Sequence, residues 1–99
     1  MEQAPSVRFV RTNRFRRAYR RLDERYRELV KKALAQFVAD RTYPGLRVKR
    51  IQGTDKIWEM RAGRDIRITF EFEEGEGGTS VVVLRNVGHH DPNPQEPLI

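Results

Sequence analysis

The stretch from Ile57 to Asp91, IWEMRAGRDIRITFEFEEGEGGTSVVVLRNVGHHD, lays three strand-like segments end to end and stops at a His-His-Asp cluster. Its middle segment is the clearest strand in the chain. Ile66, Ile68, Phe70 and Phe72 alternate with Asp65, Arg67, Thr69, Glu71 and Glu73, so such a strand has one apolar face for a core and one polar face left open. Ile57 to Arg61 precedes it as a shorter strand. Glu74-Gly75-Glu76-Gly77-Gly78 has hairpin-loop chemistry, and Val81 to Val87 is a nearly continuous apolar run of the kind found in a central strand.

Upstream the period changes. Ser6 to Arg11, entered from Pro5, carries a short β pattern with Val7 and Phe9 inward and Val10 outward. From Thr12 or Asn13, either a suitable N-cap, Phe15, Ala18, Tyr19 and Leu22 fall at helical spacing with arginines between them. Asp23 reads as a second cap, and Tyr26, Leu29, Val30, Ala33, Leu34, Phe37 and Val38 form the broad apolar stripe of a second helix that runs to about Asp40. Without Gly or Pro between them, the two helices could also be one bent helix. Tyr43-Pro44-Gly45 ends the helical region, and Leu46 to Gly53, rich in cations, leads through Thr54-Asp55 to the strand at Ile57. Residues 92–99, with Pro92, Pro94 and Pro97, read as a Pro-rich tail. The inferred architecture is a single α+β domain over residues 1–91, ordered β-α-α-β-β-β, with a helical hairpin on one face of a mainly antiparallel sheet.

A chain of 99 residues holds one core, and with 37% hydrophobic and 34% charged residues that core is thin under an ionic surface. The net charge of +6 suits a polyanion or an acidic protein as partner. The absence of cysteine excludes a disulfide framework and a thiolate metal site, and no stretch approaches the apolar length of a membrane span. A cytoplasmic location away from the membrane is the expectation.

Three features, read together, resemble the RelE/ParE superfamily of bacterial toxins. They are Gly45-Leu46-Arg47-Val48-Lys49 after the helical pair, Trp58-Glu59-Met60-Arg61 leading to Arg67-Ile68-Thr69-Phe70, and the terminal Val87-Gly88-His89-His90-Asp91. The resemblance implies the toxin of a type II toxin–antitoxin pair: a metal-independent endoribonuclease that cuts mRNA on the ribosome, needs no cofactor, and is silenced by a small acidic antitoxin, in a hetero-oligomer with it. Many members carry a tyrosine past the last strand, whereas this chain reads Pro92-Asn93-Pro94-Gln95 and has no tyrosine after Tyr43. That departure keeps open a second reading, a non-catalytic or ParE-like module of the same fold, such as a toxin directed at gyrase.

RNA cleavage by its own 2′-hydroxyl requires a base, cations to stabilise the phosphorane, and an acid for the leaving 5′-oxygen. On the family pattern Arg67 and then Arg61 would hold the charge, because a guanidinium fork pairs two phosphate oxygens. Glu59 would be the base and His90 the acid, with His89 as its alternate. Arg47, Lys49, Lys56, Arg64 and Arg85 would hold the RNA. Plainer readings stand beside these: Arg67 as a solvated residue paired with Glu59 or Glu71, the two histidines as a polar strand exit, Asp91 as a turn cap or as the residue orienting a histidine. Arg14, Arg16, Arg17, Arg20 and Arg21 read as a solvated helix face or an RNA footprint, and Trp58 as packing. Adjacent histidines diverge and no third one exists, so no metal site is expected.

Overall fold

The computed structural model describes residues 6–90. Asp91, the Pro-rich residues 92–99 and Pro5 lie outside them. Strand β1 (Val7–Arg11) leads into helices α1 (Asn13–Arg21) and α2 (Glu24–Ala39), a 3-10 turn (Pro44–Leu46), and strands β2 (Lys49–Arg50), β3 (Trp58–Ala62), β4 (Ile66–Glu74) and β5 (Ser80–His89). They form one five-stranded sheet in the order β1-β5-β4-β3-β2, in which β1 runs parallel to β5 and every other pair is antiparallel.

The α+β architecture and the order of elements agree with the sequence reading, with one addition. The cationic stretch after Gly45 contains the two-residue strand β2, which pairs Lys49 with Glu59 and Arg50 with Trp58. Arg47, just before it, takes a left-handed conformation (φ 47°) that turns the chain onto the edge of β3.

The helical pair breaks at Leu22 without Gly or Pro. Its extended backbone (ψ 143°) ends α1, and Arg27 of α2 reaches back to donate from Nη1 to the Leu22 carbonyl at 2.9 Å and the Arg20 carbonyl at 3.3 Å. A side chain of the second helix thus satisfies the orphan acceptors of the first. Thr12 caps α1, its hydroxyl accepting from the Phe15 amide, but Asp23 makes no side-chain capping bond and serves α2 through its backbone carbonyl.

Phe15, Leu22, Val30, Ala33, Leu34 and Phe37 from the helices pack on Met60, Ala62, Ile66, Ile68, Phe70, Val82, Leu84 and Val87 from the sheet. Between Thr69–Asn86 and Phe70–Leu84 the register shifts by one, so Arg85 is the extra residue of a β-bulge. The opposite sheet face departs from expectation. Arg67 is only 5% exposed, Thr69 is fully buried and Asn86 is 7% exposed. Glycine faces Arg67 across the sheet (Gly88), and the guanidinium folds back along its own strand instead of standing into water.

Candidate functional site

Register decides which charged side chains share a face. On β3 and β4, Arg61 stands directly opposite Arg67 and Glu59 opposite Thr69, while β2 sets Lys49 opposite Glu59. These residues alternate with Met60, Ile66 and Ile68, so all of them occupy the sheet face away from the helices. The result is a compact group of Arg61, Arg67, Glu59 and Lys49, with Arg47 close enough for its charge to act on Arg67.

Two arginines directly opposite each other repel. Burial above all, and next the Arg61 charge, push the Arg67 guanidinium below the usual arginine range, with Glu59 and Asp65 pulling the other way. It stays protonated regardless, because arginine does not lose its proton in proteins. Arg67 donates from Nη1 to the Arg64 carbonyl at 3.1 Å and the Ile66 carbonyl at 3.2 Å, which fixes the guanidinium at the β3–β4 turn. Glu59 is paired with Lys49 at 3.5 Å, and Lys49 is largely exposed, so that pair is weak and adaptable. Such a face holds more positive charge than its own carboxylate balances, and an anion would relieve it.

Arg85 sits apart from this group at the bulge, its Nη1 donating to Glu71 at 2.9 Å, while its Nε is buried without a partner among the described residues. Lys56 and Arg64 lie exposed in the turns before β3 and β4.

The two histidines part company. His89 pairs with Ile66 and therefore points to the helix side, where Nδ1 lies 2.6 Å from Asp65 Oδ2 and the ring meets the edge of Tyr26 at 4.8 Å between centroids. Arg25 stacks over that tyrosine at 4.7 Å and donates to its hydroxyl. His90 follows the last strand residue and donates its backbone amide to the Asp65 carbonyl.

Asp65 and Tyr26 had escaped the sequence reading. Asp65 was legible only through the β4–β5 register, which brings the first residues of β4 to the last of β5. Tyr26 looked like any other member of an apolar helix stripe. Among the described residues no group of three or more His, Cys, Asp or Glu is placed to hold a metal ion, and no helix there is long and apolar enough to cross a membrane.

No family model matches the chain, and no curated protein matches it by sequence. Solved structures do match in three dimensions. A YoeB/ParE toxin from Agrobacterium tumefaciens superposes with a TM-score of 0.63 at 16% identity, covering 85% of this chain and 99% of that one. The RelBE2 toxin–antitoxin complex from Mycobacterium tuberculosis gives 0.53 at 22%, covering 87% and 98%. A mutant E. coli toxin RelE in the free state gives 0.58 at 18%, covering 87% and 83%. The chain therefore has the RelE/ParE toxin fold over nearly the whole length of these proteins.

Proposed function

We propose that the protein is the toxin of a toxin–antitoxin pair and a metal-independent endoribonuclease that cuts mRNA on the ribosome. The observation that carries this reading is the facing pair Arg61 and Arg67 beside Glu59 and Lys49, an anion-seeking cluster on the fold of such toxins.

In the proposed reaction the scissile phosphate lies against Arg61 and the exposed edge of Arg67. Glu59, released from Lys49 as the latter turns to a neighbouring phosphate, takes the 2′-hydroxyl proton. The 2′-oxygen attacks phosphorus, the two guanidiniums balance the charge of the phosphorane, and the 5′-oxygen leaves with a proton from a histidine at the end of β5. A 2′,3′-cyclic phosphate and a free 5′-hydroxyl result. Arg47, Lys49, Lys56 and Arg64 hold the flanking backbone, and a small acidic antitoxin is the partner that silences the protein.

The test is primer extension on a reporter mRNA in a translation system. The wild-type chain should give discrete new 5′ ends, and Arg67→Ala should lose about 10²- to 10³-fold, the usual cost of removing one charge-stabilising donor. A folded wild-type chain that leaves the message intact sinks the nuclease reading. One observation favours the alternative, a non-catalytic or gyrase-directed toxin: Arg67 is nearly buried and already spends Nη1 on two carbonyls. Inhibition of gyrase supercoiling without RNA cleavage would establish it.

A further inference from the structure

Between β3 and β4 the chain reverses over Gly63, Arg64 and Asp65, with Gly63 in the left-handed region (φ 79°). A Cβ on Gly63 would lie 3.1 Å from Leu29 Cδ1, so the turn is seated against α2. Three consecutive carbonyls at this turn hold candidate residues. Those of Arg64 and Ile66 take the Arg67 guanidinium, and that of Asp65, between them, takes the His90 amide. The Asp65 carboxylate adds a fourth contact, Oδ2 to His89 Nδ1 at 2.6 Å. The guanidinium and the end of β5 are thus brought to one place by residues 64–66.

The tie between Asp65 and His89 has what a positioning contact needs. A carboxylate only accepts, so Nδ1 carries the proton that points at it, and the bond holds whether the ring is neutral or charged. Tyr26 of α2 meets the same ring edge-on at 4.8 Å, a second wall from a different element. Ile66–His89 is the last ladder pair of β4 and β5, and strand ends are where a sheet opens most easily. The tie therefore acts where β5 is weakest. It does little for global stability, because the two side chains are 50% and 53% exposed.

We infer that Asp65 is the positioning residue of the candidate site: through His89 it clamps the end of β5 and keeps His90 at the turn that carries Arg67. The catalytic consequence rests on the proposed reaction, with His90 as the acid for the leaving 5′-oxygen. Asp65 itself touches no reacting atom, and His89 is the anchor.

The tie can be cut from either end. Asp65→Ala removes the acceptor; His89→Phe keeps a ring against Tyr26 but removes the donor. In the full chain without RNA, each should speed hydrogen exchange of the His90 amide about fivefold, the size of one exposed pair, with unchanged melting temperature. In the cleavage assay each should lower kcat by up to about 10²-fold, as a small misplacement of a reacting group does, and leave KM unchanged. The double variant should be no worse than either single one, since both cut the same bond. In a His90→Gln background, His89→Phe should cost nothing further.

An His90 amide that exchanges as in wild type in both variants overturns the proposal. A loss of cleavage in Asp65→Ala that His89→Phe does not share would mean that the carboxylate acts on Arg67 directly, and a loss from His89→Phe that persists in His90→Gln would make His89 the proton donor; either overturns it. The exchange arm stands apart from the nuclease reading: a chain whose His90 amide loosens as expected but which never cuts RNA loses the proposed reaction and keeps the clamp.

Discussion

Arg67 combines features that a stabilising residue would not have. It is a nearly buried cation facing a second cation, in contact with carbonyls but, among the described residues, with no carboxylate. Replacing such a group by an apolar side chain of similar length is often neutral or stabilising, because the desolvation penalty disappears. Arg67→Met should therefore hold or raise the melting temperature while activity falls about 10²- to 10³-fold. A drop of more than about 4 °C, near 1 kcal/mol for a chain of this size, would mark Arg67 as structural. Alternation alone revealed which face Arg67 occupies. Its burial was not legible, because that follows from the glycine opposite it and from the fold-back of its own side chain. The histidines show the same limit: adjacency in sequence says nothing of which carries an orienting carboxylate, and Asp65 chooses His89. On the proposed reaction His90→Gln should cost more cleavage than His89→Gln, since His90 is the proposed acid and His89 is held by Asp65 on the helix side. The reverse ranking would hand proton transfer to the His89–Asp65 pair.

At the scale of elements, Thr12 ties three pieces together. Its hydroxyl accepts from the Phe15 amide to start α1, and donates to the Leu84 carbonyl at 2.9 Å and the Arg85 carbonyl at 3.1 Å, just where β5 bulges. Thr12→Ala should cost about 1–2 kcal/mol, the upper range for an N-cap, because the bulge loses a partner as well. Urea unfolding with an unchanged m-value measures it; a loss of only a few tenths would mean that water replaces the hydroxyl. The second helix and β4 were legible because each has a long, single period, Tyr26 to Val38 near 3.6 and Ile66 to Phe72 at two, and β5 because Val81 to Val87 is a nearly unbroken apolar run of strand length. Strand β2 was not, since Lys49 and Arg50 have no apolar pattern and become strand only by pairing with the edge of β3. The bulge was invisible for a related reason. Nothing in Val81 to Val87 says that Arg85 is the residue left without a partner; the mismatch of two strands decides it.

Over the whole molecule the question is where the +6 charge acts. The helices, with α1 packed beside β5, cover one face of the sheet, whereas Arg61, Arg67, Glu59 and Lys49 lie on the other, so two fields of basic residues occupy different sides of the molecule. Arg16, Arg17 and Arg20 of α1 lie on the exposed surface of the helix that packs beside β5, whereas Arg47, Lys49 and Arg61 gather at the β2–β3 side. Only the second field contains the candidate site. Single-stranded RNA binding should weaken linearly in log–log form with salt, at a slope of about −0.7 per phosphate contacted. Lys49→Ala should flatten that slope by about one such unit and lower affinity for all sequences alike, since it also strips Glu59 of its only ion-pair partner among the described residues. Neutralising Arg16, Arg17 and Arg20 together should leave the slope unchanged. If the helix variant flattens it and Lys49→Ala does not, the RNA runs along α1, and the cluster on the sheet is not where the phosphates bind.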